Sequence, residues 1–169
     1  MESYSPKAVA NAFLALAKQE GEGITPMKMQ KLIYLAHGWG LGIVGDPLIN
    51  EPVQAWKYGP VIESIYKEFK YFGNQPITSE AVEYSFNRDT LELDEEIPLI
   101  AANDSDAHEL IQHVWNAYKH YSGGQLSTLT HQPDTPWHRS FNGKRDVIIP
   151  DSLIANHYKT LNRQQSVGQ

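Results

Sequence analysis

Three helix-start signals constrain the fold of this chain more than any other feature of its sequence. Ser5-Pro6, Thr25-Pro26 and Thr135-Pro136 each place a hydroxyl side chain directly before a proline. The hydroxyl can accept a hydrogen bond from the first helical turn, and proline is favoured at the first helical position. Apolar residues follow the first two signals at three- and four-residue spacing, which predicts helices over about 6–20 and about 26–42. A predominantly helical fold is therefore expected.

Turn signals and apolar periodicity divide the rest of the chain into further short elements. They predict helices at about 60–72, 105–121, 125–132, 136–141 and 151–162. They also predict one or two short strands in each of the segments at about 48–59 and 90–101, and a turn followed by one short strand at 142–150. The predicted fold class is α+β and predominantly helical, a single compact domain of about six or seven helices with a small β-sheet. The domain is expected to span residues 1–162, and a flexible tail is expected at 163–169.

The composition fits one cytoplasmic domain. Of the 169 residues, 41% are hydrophobic, which is enough to bury a single core of ordinary size. The N-terminus lacks a basic region followed by a long apolar stretch, so neither a signal peptide nor a membrane span is expected. There is no cysteine, which excludes disulfides, thiolate zinc sites and cysteine nucleophiles.

Charge is distributed unevenly along the chain. The formal net charge is −6, yet residues 76–112 hold ten acidic side chains against Arg88 alone, whereas residues 113–169 hold six basic side chains against three acidic ones. An acidic segment of this kind is typical of solvated loops, and it could also steer a basic partner. It would repel a phosphate backbone, so nucleic-acid binding over the whole surface is not expected.

Histidine spacing argues against a metal site. The segment HELIQH resembles the helix motif of zinc proteases, but that motif needs histidines four residues apart, and His108 and His113 are five apart. His113 and His120 share a helix face but lie about 10 Å apart along the axis, too far to bind one ion together. No metal or cofactor is therefore expected.

The segment LTHQPDTPWH, residues 129–138, allows two interpretations. His131 near Asp134, with Tyr58 as a further group, could act as a general base in a pocket. Alternatively, Asp134 or Thr135 caps the helix that begins at Pro136, and His131 packs with Trp137 beneath it. The chain has no GxSxG segment to supply an activated serine, which favours the second interpretation.

The segment QAWKYGPVIESIYKEF, residues 54–69, is read as a strand, a tight turn and a helix. Gly59 permits a backbone conformation that a side chain would resist, and Pro60 is expected to set the first helical dihedral. Trp56 and Tyr58 alternate with Lys57, so both aromatic rings are expected to face the core. This predicts a structural corner, although Tyr66 or Tyr71 would be good anchors for a partner if they are exposed.

Three segments together resemble the Panacea domain family, which includes SocA-type antitoxins and the phage-associated protein GepA. They are MQKLIYLAHGW at 29–39, EPVQAWKYGPVIESIYKEF at 51–69 and LSTLTHQPDTPWHRS at 126–140. The residues that carry the family motifs are Trp56, Tyr58, Gly59, Pro60, Leu126, Ser127, His131 and Trp137. The resemblance assigns them no catalytic role, and they are expected to be structural or partner-binding.

The resemblance implies an antitoxin-like, non-enzymatic protein that neutralises a partner toxin by direct contact. The expected partner is a protein toxin encoded by an adjacent gene, and the SocA-type relatives resemble adaptors that deliver a toxin to a protease. Two alternatives stay open: a small enzyme built on His131 and Asp134, and a phage- or defence-related interaction module that binds a host protein and has no cognate toxin.

Overall fold

The computed structural model describes residues 1–168 and contains seven α-helices and five short strands. The helices are α1 (Pro6–Glu20), α2 (Pro26–Trp39), α3 (Glu63–Phe69), α4 (Ser105–Tyr118), α5 (Gly123–Thr130), α6 (Pro136–Ser140) and α7 (Asp151–Val167). The strands are β1 (Val53–Trp56), β2 (Gly59–Val61), β3 (Glu83–Asn87), β4 (Glu92–Glu96) and β5 (Ile148–Ile149). The predicted fold class, α+β and predominantly helical, is confirmed.

The hydroxyl groups before the three Pro-initiated helices act as the sequence predicts. Ser5 accepts a hydrogen bond from the backbone N–H of Lys7, and Thr25 accepts one from that of Lys28, at 3.3 Å in both cases. At α6 the cap is Thr135, and its partner is the backbone N–H of His138. Each cap satisfies an N–H group that has no acceptor within its own helix.

Helix α2 forms the centre of the molecule. Every residue from Lys28 to Gly38 is buried, so this helix has no solvent-facing side along that span. It packs against α1, α3, α4, α5, α7 and strand β2. A helix enclosed on all sides needs apolar or fully hydrogen-bonded residues around its whole circumference.

Small residues let the last helix approach the end of α2 closely. The chain continues past Trp39 as a π-helical turn over Gly40–Val44, and α7 packs across it. A Cβ atom added at Gly38 would lie 2.3 Å from Cε2 of Tyr158, and one at Gly42 would lie 2.9 Å from the backbone carbonyl carbon of Tyr158. The glycines in this segment therefore serve helix–helix packing.

Two separate antiparallel sheets complete the fold. The first has the strand order β2-β1-β5, with Ala55 opposite Pro60 and Val53 opposite Ile149. The second is the hairpin of β3 and β4, in which Phe86 lies opposite Leu93. Within residues 1–168, no helix is long and apolar enough to cross a membrane.

The structure corrects the sequence interpretation of the segment 54–69. Pro60 lies in β2 and does not begin a helix; α3 starts three residues later, at Glu63. Strand β2 is at the edge of its sheet, where proline's missing N–H is tolerated. Tyr58 does not face the core, because it lies in the turn between β1 and β2 and its side chain is 61% exposed.

The last helix is longer than the sequence predicts. Helix α7 continues to Val167, so residues 163–167 are helical where a tail was expected. The flexibility predicted for the tail and the domain limit at residue 162 stay predictions, and Gln169 lies outside the described residues.

We expect Gly42→Ala to lower the free energy of unfolding by about 2 kcal/mol or more, because the new methyl group would collide with the backbone of α7. Gly124→Ala is the matched control, since the nearest heavy atom to an added Cβ there is 3.9 Å away. The free energy of unfolding of Gly124→Ala should stay within about 1 kcal/mol of that of the unsubstituted protein. Urea unfolding measures both, and equal stability of the two variants would contradict the packing described here.

Candidate functional site

Side chains from two helices hold the turn between β1 and β2 by its backbone carbonyl groups. The indole N–H of Trp137, on α6, donates to the carbonyl oxygen of Trp56 at 2.6 Å. The hydroxyl of Ser127, on α5, donates to the carbonyl oxygen of Tyr58, also at 2.6 Å. Four of the motif residues named from the sequence are therefore joined by two hydrogen bonds.

Helix α2 continues this pattern on the second strand. The ammonium group of Lys31 donates to the carbonyl oxygen of Pro60 at 2.8 Å. The side-chain amide of Gln30 donates to the carbonyl of Ile62 and accepts from its N–H, at 2.9 and 2.8 Å. Alternate carbonyl groups at positions 56, 58, 60 and 62 thus each receive a donor from a different side chain.

Gly59 is required in this turn for two reasons. Its φ of +112° lies in the region that residues with side chains rarely adopt. A Cβ atom at this position would also lie 3.0 Å from Nζ of Lys31 and 3.4 Å from Oγ1 of Thr130. The absent side chain therefore lets the turn pack directly against the buried ammonium group.

A groove of about 500 Å³ opens beside the turn, and we call it the motif groove. Its lining includes three aromatic residues and four basic ones: Trp56, Tyr58, Tyr66, Lys31, Lys57, Lys70 and Arg145. None of the residues lining it is acidic. The motif groove is thus a basic, aromatic site on a chain of net charge −6.

The aromatic wall of the motif groove is stabilised by cation–π contacts. The guanidinium carbon of Arg145 lies 3.8 Å from the centre of the Trp56 ring and 5.3 Å from that of Tyr66. The two rings meet edge to face at 4.9 Å. Contacts of this kind hold a cation and two rings in one place and pre-form a binding surface.

Lys31 is the least exposed charged group at the motif groove. Its side chain is 2% exposed, and within residues 1–168 no carboxylate forms an ion pair with it. Burial lowers the pKa of the Lys31 ammonium group to about 7, because the charged form loses its hydration.

Within residues 1–168, no hydrogen bond joins the side chains of His131, Asp134 and Tyr58, the groups that the enzymatic interpretation requires. The Nδ1 atom of His131 lies 3.4 Å from Oγ of Ser127, and its ring packs edge to face against Trp137 at 5.3 Å. Asp134 adopts a φ of 64°, and its backbone N–H donates to His138. Tyr58 contributes its backbone carbonyl while its ring points to solvent beside Lys57. The structure agrees with the other interpretation of residues 129–138, in which Thr135 caps α6 and His131 packs against Trp137.

The other predicted site residues fall into two groups. Leu126 is fully buried and belongs to the hydrophobic core. Tyr66 and Tyr71 are 40% and 88% exposed, so both are accessible, and Tyr66 lines the motif groove. Within residues 1–168, no group of three or more metal-binding side chains is placed to hold an ion.

The hairpin of β3 and β4, residues 83–96, is a second exposed surface that the sequence interpretation missed. We call it the acidic hairpin. The strand register places Tyr84, Phe86 and Leu93 on one face, and they are 59–68% exposed. The opposite face carries Glu83, Glu92, Asp94 and Glu96. The alternation of Tyr84 with Phe86 is the sequence signal for β3, and the strands predicted at 90–101 include β4.

The acidic hairpin is attached to the body of the protein only near its base. The carboxylate of Glu83 accepts a hydrogen bond from the hydroxyl of Ser5. Next to it, the backbone carbonyl of Val82 accepts from Lys7 at 2.7 Å, and its N–H donates to Glu68 at 3.0 Å. Beyond this base, β3 and β4 contact mainly each other. The apolar face of the hairpin is therefore available to another molecule.

Comparison with known proteins identifies the class of this chain. Residues 29–138 match the family model described as Antitoxin SocA-like, Panacea domain, and the chain belongs to that family. It is 34% identical over 163 residues to the protein named Antitoxin SocA from Caulobacter vibrioides (strain NA1000 / CB15N), covering 94% of this chain and 84% of that protein. No solved structure matches the chain. The resemblance drawn from the three sequence segments is confirmed.

We expect Lys31→Met to change the pH dependence of stability. Between about pH 7 and pH 10 the unfolded state holds a proton on Lys31 that the folded state has lost, so this group makes stability rise with pH by about 1.4 kcal/mol per unit. The free energy of unfolding of the unsubstituted protein, minus that of the variant, should therefore rise by about 3 kcal/mol from pH 6 to pH 9.

Urea unfolding at the two pH values measures this difference. Lys57→Met is the control, because Lys57 lines the same groove but is exposed. A pH-independent difference for Lys31→Met would mean that the ammonium group of Lys31 stays hydrated.

Proposed function

We propose that this protein is an antitoxin that neutralises a protein toxin by binding it directly, and that it acts in the cytoplasm without catalysis. Membership of the SocA-like antitoxin family supports the class of function. Within residues 1–168 no hydrogen bond joins His131 to Asp134, and Tyr58 is bonded through its backbone carbonyl, which favours binding over the enzymatic alternative. We further propose that the toxin is encoded by an adjacent gene.

The observation that carries the binding mechanism is the exposed apolar face of the acidic hairpin. A two-stranded hairpin is at best marginally stable alone, and this one leaves Tyr84, Phe86 and Leu93 in solvent. Burying a side chain of this size contributes about 1.5–3 kcal/mol. A partner that covers this face would gain that free energy and order the hairpin at the same time.

The charge of the acidic hairpin indicates what kind of toxin surface fits it. Residues 76–112 carry ten acidic side chains against one basic one; Glu95, opposite Tyr84, shares the apolar face of the hairpin, and four further acidic residues lie on its other face. The complementary toxin surface is an apolar patch with a basic rim. Opposite charges at the rim accelerate encounter more than they strengthen the final complex.

The motif groove is a second place where a protein partner can bind. Tyr66 and Tyr71 stay predicted contacts, and their exposure makes both accessible. A protease or a host defence protein would need a surface that the toxin leaves free. The groove and the acidic hairpin carry opposite charges and suit partners of different chemistry.

We expect co-expression with the neighbouring toxin gene to restore growth and to give a complex that co-purifies. Phe86→Ser combined with Leu93→Ser should abolish rescue and weaken the complex about a hundredfold or more, because two apolar anchors are lost. The free energy of unfolding of the double variant should stay within about 1 kcal/mol of that of the unsubstituted protein, since both side chains are exposed in the free protein.

The control for this experiment is Ser85→Thr, on the opposite face of the same strand. It should preserve rescue and affinity. A toxic neighbour that is neither bound nor neutralised would refute the antitoxin function, and a harmless neighbour would favour the interaction module without a cognate toxin. Full binding by the double variant would refute only the assignment of the contact face.

We expect the charges of the hairpin to act on the association rate. Glu92→Gln, Asp94→Asn and Glu96→Gln together should slow association with the toxin about tenfold at low ionic strength and leave the dissociation rate nearly unchanged. At about 0.5 M salt the triple variant and the unsubstituted protein should associate at similar rates, because exposed charges are then screened. Surface plasmon resonance at several salt concentrations measures both rates, and an equal slowing at all of them would contradict electrostatic steering.

A further inference from the structure

The basic lining of the motif groove is not explained by contacts within the chain. Lys31, Lys57, Lys70 and Arg145 converge on it without an acidic side chain among the lining residues. None of the four is in an ion pair with another residue in the range 1–168. Four like charges around one cavity repel each other, and a negatively charged occupant would relieve that repulsion.

Lys31 carries the most deeply buried of the four positive charges at the motif groove. It has three N–H donors, and within the described chain it has one acceptor, the carbonyl of Pro60. The turn packs tightly against this group at Gly59, where an added Cβ would be 3.0 Å from Nζ, and Lys31 itself lines the groove. A carboxylate that enters the groove could accept a remaining N–H and form a charge-assisted hydrogen bond.

The aromatic wall gives the same occupant an apolar contact. Trp56 and Tyr66 are held edge to face by Arg145 and line the groove together with Val61 and Ile65. A volume of about 500 Å³ accepts a few side chains and is in the range of small-ligand sites. The groove thus offers one buried cation, an exposed cationic rim and a pre-formed aromatic surface.

We propose that the motif groove is a binding site for an acidic segment of a protein partner, in which one carboxylate pairs with Lys31 and a neighbouring apolar side chain packs against Trp56 and Tyr66. This site shares no lining residue with the acidic hairpin and does not depend on the proposed toxin contact.

A protein segment fits the groove better than single-stranded nucleic acid does. Aromatic and basic side chains also bind nucleic acids, but such grooves follow a backbone over several nucleotides. Here one cation is 2% exposed at the floor, and a carboxylate on a flexible side chain can reach it more easily than a phosphodiester between two sugars. The chain also carries a net charge of −6, which opposes a polyanion.

The test uses 3-phenylpropanoate, a carboxylate with an aromatic ring, and 3-phenylpropanamide, its neutral counterpart of the same shape. NMR titration follows the indole N–H signal of Trp56. We expect the carboxylate to bind in the millimolar range, as its size allows, and the amide to bind about tenfold more weakly. Because this comparison changes only the ligand, it does not depend on how any variant folds.

Protein variants then assign the effect to Lys31. Lys31→Met should lower the affinity for the carboxylate to that for the amide. Lys28→Met is the matched control: Lys28 is 7% exposed on the same helix, but it donates to the carbonyl of Lys119 and does not line the groove. It should leave both affinities unchanged.

The pH dependence provides an independent readout. Only the charged form of Lys31 pairs with a carboxylate, so affinity should be about tenfold lower at pH 8 than at pH 6. The groups around Lys31 in the groove are Lys57, Lys70, Arg145, Tyr58 and Tyr66. His131 follows the last residue of α5, and His131→Gln is the control, which should retain the same pH dependence.

Three results would overturn the proposal. The first is equal affinity for the carboxylate and the amide, or no shift of the Trp56 signal with about 20 mM of either. The second is tighter binding of a ten-residue oligothymidylate than of an acetylated heptapeptide of alternating glutamate and phenylalanine. The third is concentration-dependent self-association that Lys31→Met abolishes, because the occupant would then be the acidic hairpin of a second copy.

Discussion

The fold depends on how the carbonyl groups of the β1–β2 hairpin are satisfied. A backbone carbonyl removed from water must find a donor, and leaving it without one costs about 1–3 kcal/mol. The donors at positions 56, 58, 60 and 62 come from α6, α5 and α2, so one short hairpin fixes three helices relative to each other. The same bonds hold the turn beside the motif groove and connect it to α2.

The helix starts are predicted correctly from neighbouring residues. The prediction is wrong where pairing between distant segments selects the secondary structure. Ser5, Thr25 and Thr135 cap the helices as expected, because a cap involves only neighbouring residues. Pro60 suits the first turn of a helix and the edge of a sheet equally well, and its pairing with Ala55 selects the strand. The acidic hairpin was only partly recognised, since a strand exposed on both faces lacks the apolar face that usually marks strands in a sequence.

The candidate site was predictable in its residues but not in its arrangement. The sequence motifs pointed to Trp56, Tyr58, Ser127 and Trp137, and the structure joins them in two pairs. Lys31 belongs to the same network, and its sequence context does not mark it as part of this site, because a lysine within a helical pattern is normally solvated. Arg145 reaches the groove from a segment more than seventy residues beyond the turn, which sequence spacing cannot indicate.

The free edges of the acidic hairpin have a consequence for assembly. Strands β3 and β4 pair only with each other within residues 1–168, so the outer edge of each presents unpaired backbone amide and carbonyl groups. An extended peptide laid along either edge would continue the sheet by main-chain bonding that is largely independent of its sequence. The same edges would invite fibrillar stacking of identical chains, and the crowded carboxylates act as gatekeepers against it through mutual repulsion.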